Sequence, residues 1–512
     1  MIEIWMSKQD FVYDVQGLCK SFYPSTQIVI KDWEQTENKN NTEAEVLLQV
    51  ALAEDYVEIV LHGKDISDRR KAHAPKDNRR GYKNVLKKIL YELLSETTGK
   101  QLPWGTLTGV RPTKLVMERL EMGEERTAIE AYMKEHYFCS KEKFLLGYEI
   151  SKKELDILNA IDYKNGYSLY VGIPFCPTRC SYCSFPSYPM EDFGELVERY
   201  LEALFQEISY VASKRWNQRL STIYIGGGTP TTLSAEQLRR LLRHIKQCCS
   251  MEHVVEFTVE AGRPDSITRE KLEVMKEEGV TRISINPQSM NQDTLARIGR
   301  KHTVEDVERV FAMAREVGHD NINMDLIIGL PQETSESLRQ TLARIENLNP
   351  ENITVHSLVL KRAARLNTDR VNEASCKLEQ TQEEVALVGE TAAMAEIAAQ
   401  YAKTHGYEPY YMYRQKNATG TDSDSRENIG YAKPGTECIY NILIMEEKQT
   451  ILAVGAGASS KFLLPKAKKK IERVENVKSV TDYIQRIDEM IERKEHFWVK
   501  NSDTFVSFLG KG

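Results

Sequence analysis

From about residue 168 onward, short runs of β-branched and aromatic residues alternate with longer stretches whose apolar positions recur three and four apart. That rhythm predicts successive strand–helix units building a parallel sheet. The predicted strands are residues 168–173, 222–226, 254–260, 282–286, 321–328 and 352–358, with amphipathic helices at 196–212, 235–247, 268–278, 304–317 and 336–348. Six strands in one series are too few for a closed eight-strand barrel and predict an open, partial (β/α)6 barrel. In such sheets chemistry collects at the carboxyl ends of the strands.

The flanks read differently. Val46, Leu48, Val50 and Leu52, then Val57, Ile59 and Leu61, alternate with period two and predict a strand pair, followed by a helix over 82–94. Residues 1–164 therefore read as an N-terminal α+β accessory domain, 165–373 as the barrel, and 374–512 as a C-terminal α+β domain that covers the substrate. The last is expected to hold a long helix at 380–405, a tyrosine-rich loop, strand-like runs at 439–445 and 450–454, a lysine-rich loop at 466–470 and a helix at 480–493. The polar stretch 34–43 reads as a loop.

Composition narrows the class. With 512 residues, 41% hydrophobic and 28% charged, the chain matches an ordinary folded globular protein. A net charge of −6 is too mild for whole-chain capture of a polyanion. One local exception is the run from Arg69 to Lys88, nine Lys and Arg against Asp77 alone, but Tyr82 is its only aromatic, which weighs against nucleic-acid binding. No apolar run approaches the roughly 18 residues needed to span a bilayer. The first fifteen residues carry Glu3, Asp10 and Asp14 and lack a secretory pattern, so a cytoplasmic location is expected.

Three of the nine cysteines fall within eight residues, in Pro174-Phe-Cys176-Pro-Thr-Arg-Cys180-Ser-Tyr182-Cys183. A C-x3-C-x2-C loop directly after the first barrel strand can turn three thiolates inward onto one inorganic core. Iron–sulfur clusters use this kind of ligation, whereas structural zinc prefers four closed ligands, and the nearest downstream histidine, His244, is remote. A cubane with three protein ligands leaves one iron open to a cofactor or substrate. Cys19, Cys139, Cys248, Cys249, Cys376 and Cys438 read as buried apolar residues.

The other strand ends carry further candidates. The second closes in Gly226-Gly227-Gly228-Thr229, a tract that offers backbone groups to a ligand unobstructed by side chains. The third closes in Glu260-Ala-Gly-Arg263, the fourth in Asn286-Pro-Gln288 followed by Gly299-Arg300-x-His302, and the fifth contains Asp325.

These motifs in this order resemble the radical S-adenosylmethionine (SAM) superfamily, and within it the oxygen-independent coproporphyrinogen III oxidase (coproporphyrinogen dehydrogenase) family, HemZ type. The HemZ-type features are the long N-terminal extension, Tyr413-Arg-Gln-Lys-Asn417 and Gly455-Ala-Gly-Ala458. The resemblance implies that Cys176, Cys180 and Cys183 hold a 4Fe–4S cluster whose open iron is chelated by SAM, and that one electron cleaves SAM to a 5′-deoxyadenosyl radical. It implies that Tyr182 lies by the adenine and that Tyr170, Gly227, Gly228, Thr229, Glu260, Gln288, Arg300 and Asp325 contact SAM. By the same resemblance the substrate is a tetrapyrrole and the reaction oxidative decarboxylation of coproporphyrinogen III to protoporphyrinogen IX, in porphyrin and haem biosynthesis, with reduced flavodoxin or ferredoxin as electron donor. Arg263, Lys361, Arg362, Arg365 and Arg414 are candidate cations for its carboxylates. The alternatives are a haem-binding chaperone, a radical haem-modifying or haem-degrading methyltransferase of the same family, and an RNA-modifying radical enzyme. Two departures stand out: Gly172 and Phe185 occupy positions where the decarboxylating oxidase has His and Cys. The haem chaperones' His-Asn motif is replaced by Cys438-Ile-Tyr440-Asn441.

Overall fold

The computed structural model describes residues 1–24, 26–33, 44–64, 67–214, 219–358, 379–415, 427–464 and 470–506. The chain divides into two compact units, one of Met1–Lys152, Cys376–Ala392 and Met412–Glu427, the other of Lys153–Ser375, Ala393–Tyr411 and Asn428–Gly512.

The first unit holds a five-stranded sheet of β1 (Ile2–Met6), β2 (Ile28–Asp32), β3 (Val46–Leu52), β4 (Tyr56–Gly63) and β5 (Ser67–His73), in the order β2-β1-β3-β4-β5. The alternating runs pair as expected, antiparallel with Leu48 opposite Leu61 and Val50 opposite Ile59. Their inward side chains pack with Leu18 and Phe22 of helix Val12–Phe22 and with Leu86 and Leu90 of helix Arg79–Thr98. Strand β1 escapes sequence reading because all five of its residues are buried, which leaves no alternation to detect.

The basic run of this unit is already matched. Arg69 meets Glu58, Arg70 meets Asp68 and Glu96, Lys76 meets Glu54, Arg79 meets Asp10, and Arg80 meets Glu118. Lys71 lies over the Tyr56 ring, and Lys87 donates to Thr108 Oγ1 at 3.0 Å.

In the second unit the six expected strands appear as β6 (Gly166–Ile173), β9 (Arg219–Gly227), β10 (Glu256–Gly262), β11 (Arg282–Ile285), β12 (Ile322–Ile328) and β13 (Asn352–Ser357), after the short β7 (Phe175–Cys176) and β8 (Tyr188–Pro189). Later come β14 (Glu408–Arg414), β15 (Glu427–Ala432), β16 (Thr450–Val454), β17 (Ser459–Leu464) and β18 (Lys470–Glu475). The sheet order is β14-β15-β13-β12-β11-β10-β9-β6-β16-β17-β18. The predicted series from β6 to β13 is parallel throughout. Strand β16 adds a seventh parallel member beside β6, with Leu452 opposite Leu169, while β15 runs antiparallel to β13.

The crossover helices start where side chains can satisfy free N–H groups. Ser234 with Gln237, Thr303 with Asp306 and Thr334 with Ser337 form reciprocal caps, and Thr268 accepts from Lys271 N. Two expectations are corrected. The run 439–445 is a helix, Ile439–Glu446, because the buried Glu256 carboxylate accepts from the N–H groups of Ile439 at 2.6 Å and Tyr440 at 3.1 Å. The tyrosine-rich stretch is strand β14, where Tyr410, Tyr411 and Met412 are buried. The expected loop at 34–43 and all but the last residue of that at 466–470 lie outside the described residues, Lys470 opening β18, and so do Lys361, Arg362, Arg365 and Cys376.

Candidate active site at the strand ends

Strand β6 ends at Ile173, and the chain leaves the sheet through β7 into the loop that carries Cys176, Cys180 and Cys183. Backbone hydrogen bonds clamp that loop to its neighbours: Gly228 N donates to Ile173 O at 2.8 Å, Thr229 N to Phe175 O at 2.7 Å, and Ser181 N to Ile298 O at 3.2 Å. Thr229 Oγ1 reaches Cys176 Sγ at 3.6 Å and Arg263 Nη1 reaches Cys180 Sγ at 3.7 Å. Burial pushes the Cys176 thiol up to about 11 and raises that of Cys183, with Cys180 adding to both shifts and Cys183 to the first. Metal binding removes those protons and takes up the charge.

Among the described residues no three His, Cys, Asp or Glu side chains close on a single metal ion. A cubane does not require that, since each thiolate binds a different iron.

The glycine tract acts mainly through closeness. Gly227 has φ +113°, and a Cβ on Gly228 would lie 2.5 Å from Phe175 O. The N–H groups of residues 227, 228 and 229 are engaged within the chain, the first with Glu260 Oε2 at 3.3 Å. The tract therefore brings β9 against the cysteine loop, with its N–H groups turned to partners within the chain.

Glu260, at the end of β10, accepts from Tyr224 OH at 2.6 Å. Burial raises its carboxyl to about 7, with the Asp325 charge adding and Tyr224 opposing. Tyr224 stacks on Tyr440 with centroids 4.5 Å apart, and Tyr170 stacks against both at 6.2 and 6.3 Å. On β12, Asp325 accepts from Asn323 Nδ2 at 2.7 Å and lies 3.7 Å from His356 Nε2 of β13. Burial would raise the Asp325 carboxyl, but His356 and Asn323 outweigh it and hold it below its ordinary value.

Gln288 sits at φ +69°, rare for a residue with a side chain, and is pinned there by Gln288 N to Asp325 O and Ile327 N to Gln288 O, both 2.9 Å. Arg300 donates to Tyr182 OH at 3.0 Å and to Asn286 O at 2.6 Å. Tyr182 and Arg300 thus meet on one side of the loop, while Tyr170 and Glu260 surround the glycine tract, and Glu260 and Asp325 sense each other's charge. Sequence reasoning did not single out Tyr224, Tyr440, Asn323 or His356. The signal was available for the strand residues, which lie two positions from the glycine tract (Tyr224) or from Asp325 (Asn323) and so share its face. Arg263 and Arg414 differ from expectation. Both are buried, Arg263 bound to Asp265 and to the cysteine loop, Arg414 to Leu107 O at 2.6 Å.

The residues fit a cluster with a bound nucleotide. Three thiols share one clamped loop, two glycines admit close approach, and buried polar atoms converge nearby. Among the described residues Asn286 Oδ1, Gln288 Oε1 and Arg300 Nε are buried with no hydrogen-bond partner. Such atoms are costly when unmet, and a ligand carrying hydroxyl, ammonium and carboxylate groups would meet them.

Comparison with known proteins agrees. The Radical SAM superfamily profile matches residues 170–345. The oxygen-independent coproporphyrinogen-III oxidase-like protein HemZ of Bacillus subtilis is 41% identical over 416 residues, 80% of each chain. The heme chaperone HemW of the same organism is 34% identical over 57% of this chain and 70% of its own. Among solved structures, coproporphyrinogen III oxidase (HemN) of Escherichia coli shares the fold, with TM-score 0.50 and 24% identity over 66% of this chain and 73% of that one. With its three-cysteine loop after the first strand of a partial barrel, this chain belongs to the oxygen-independent coproporphyrinogen III oxidase-like family, HemZ type, of the radical SAM superfamily, whose cofactors are a 4Fe–4S cluster and SAM.

Proposed function

We propose that this chain is a radical SAM enzyme that acts on a tetrapyrrole, and that the reaction is oxygen-independent decarboxylation of coproporphyrinogen III to protoporphyrinogen IX. The observation that carries the reading is the clustering of chemistry on neighbouring strands: three thiols, the glycine tract, Glu260 and Gln288 at or just past the strand ends, with Asp325 within β12. When bound, the cluster and SAM supply one-electron chemistry able to take a hydrogen atom from an unactivated carbon.

The chain's own residues do the rest. Cys176, Cys180 and Cys183 would hold the cluster, and Tyr182, kept in place by Arg300, would serve the adenine. Gly227, Gly228 and Thr229 would serve the methionine part of SAM. Glu260 and Asp325 are acceptors for ribose hydroxyls or an ammonium, and Tyr170 stands over Gly227, its OH 3.3 Å from where a Cβ there would lie. Arg300 Nε and Gln288 Oε1 provide a donor and an acceptor already stripped of water. On each propionate that reacts, a hydrogen atom would pass to the deoxyadenosyl radical and one electron to an external one-electron acceptor, and loss of carbon dioxide leaves a vinyl group. Reduced flavodoxin or ferredoxin is the proposed electron source.

One observation favours turnover over haem carriage. Cys438 stands where the haem chaperones have histidine; it is fully buried, burial pushes its thiol far up, and its Sγ lies 3.5 Å from Glu256 Oε1. A protonated thiol held inside the protein is a poor haem ligand. The test is anaerobic incubation of reconstituted protein with reductant, SAM and coproporphyrinogen III. Loss of two carboxyl groups from the porphyrinogen with release of 5′-deoxyadenosine is the expected result. Tight haem binding with no deoxyadenosine release would overturn it in favour of a carrier.

A further inference from the structure

We propose that Arg263 tunes the cluster's reduction potential through a hydrogen bond to the sulfur of Cys180. This rests on the cluster reading above and concerns a residue that sequence reasoning had placed among the substrate's counter-charges. Arg263 follows Gly262, whose φ of +74° bends the chain at the end of β10, and the residue is only 3% exposed. One edge of the fork is held by Asp265, with Nε to Oδ1 at 3.0 Å and Nη2 to Oδ2 at 2.6 Å. This bidentate pair fixes the plane and aims the remaining nitrogen at the cysteine loop. Nη1 donates to Thr178 O at 3.0 Å, to Thr178 Oγ1 at 2.8 Å and to Cys180 Sγ at 3.7 Å.

Two physical consequences follow. Four of its five N–H groups are taken up by Asp265 and the cysteine loop, which leaves one Nη2 hydrogen and no two-point edge for a substrate carboxylate. A positive donor fixed beside a ligating sulfur, at low local dielectric, draws electron density from that sulfur and favours the reduced, more negative state of the cluster. Hydrogen bonds to sulfur and nearby charge are the main levers by which a protein moves such potentials. Arg263 acts through Cys180 and is a positioning residue in that sense. Thr229 Oγ1 on Cys176 Sγ supplies a neutral counterpart, so the two sulfurs sit in unequal fields.

The test is a redox titration of the anaerobically reconstituted full chain, followed by electron paramagnetic resonance without SAM, so that altered nucleotide contacts cannot contribute. Wild type is compared with Arg263→Met and Arg263→Lys, and iron and sulfide are counted for each. The expected result is a lower midpoint potential in Arg263→Met at wild-type iron content. A smaller fall is expected in Arg263→Lys, because an ammonium cannot hold Asp265 through two bonds and still reach the sulfur. If the potential of the loaded fraction is unmoved while iron content or melting temperature falls, Arg263 only braces the loop and the proposal is overturned. Should Arg263→Met fail to load, a wild-type potential in Arg263→Lys overturns it equally. Wild-type protein that takes up no iron or sulfide would instead overturn the cluster reading itself.

Discussion

Replacing Gly228 by alanine tests whether the second strand end sets the geometry of the cysteine loop. Gly228 has no left-handed backbone requirement, so alanine can adopt its dihedrals and the obstacle is space alone. The added Cβ would stand 2.5 Å from Phe175 O, 2.9 Å from Pro174 C and 3.0 Å from Ile173 O, all backbone atoms leading into Cys176. To reach the 3.4 Å at which contact becomes ordinary, that segment must retreat by about 0.9 Å. It cannot do so freely, because Phe175 is fully buried and packs edge-on against Tyr200 with centroids 5.3 Å apart. Overpacking of this kind costs about 1–3 kcal/mol. Stretching the bonds from Gly228 N at 2.8 Å and Thr229 N at 2.7 Å adds up to about 1 kcal/mol each. Gly228→Ala should therefore unfold at clearly lower urea concentration as apoprotein and bind less iron and sulfide per chain after anaerobic reconstitution. Gly17→Ala is the control: it lies within helix Val12–Phe22, its Cβ would meet only Thr108 Oγ1 at 3.9 Å, and it should gain about 0.5–1 kcal/mol. Wild-type melting and wild-type iron in Gly228→Ala would refute the reasoning.

Glu260 has a folded-state pKa of about 7 against 4.5 ordinarily, so folding favours its protonated form. Its ionisation then subtracts stability progressively as pH rises from about 4.5 through 7, and Glu260→Gln should gain on wild type between pH 5 and 8 by up to about 3 kcal/mol in urea unfolding; a pH-independent difference would contradict this. Lys494 pairs with the fully buried Glu207 at 2.5 Å, and Glu207 also accepts from Gly455 N at 2.8 Å and Asn476 Nδ2 at 2.8 Å. Lys494→Met should cost about 3–5 kcal/mol by stranding that charge, and the double change with Glu207→Gln should recover part of the loss. Serine at Cys176, Cys180 or Cys183 should abolish deoxyadenosine release and the visible absorbance of the cluster, whereas Cys249→Ser should retain both.

The barrel was legible because each of its strands is buried on both faces and bounded by turn residues, which leaves a compact β-branched signature such as Ile322–Ile328 between two capped helices. The flanking strands were harder. Nothing in the run at 450–454 says that it will lie beside β6, since pairing partners are set by three-dimensional order and local period is silent about it. The helix at Ile439–Glu446 departs from the expected strand for a related reason. Its apolar run suits either period, and what decides is the Glu256 carboxylate at its N-terminus, 183 residues away in sequence.

The site divides along the same line. The candidate cofactor contacts lie on one loop and a few neighbouring strands: spacing brings out the cysteines and the glycine tract, and the family resemblance brings out Glu260 and Asp325. Residues that act by holding those side chains are spread over the sheet and carry no motif. His356 matters only because β12 and β13 pair with Ile327 opposite His356, which sets its ring 3.7 Å from Asp325 on the neighbouring strand. Arg263 shows the sharper form of the difficulty. From sequence it is a free cation at a strand end, and only the placement of Asp265 two residues on, with the cysteine loop 83 residues back, turns its charge inward. A charged residue's role at such a site is decided by the partner that takes its first edge, and that partner is visible only once the chain has folded.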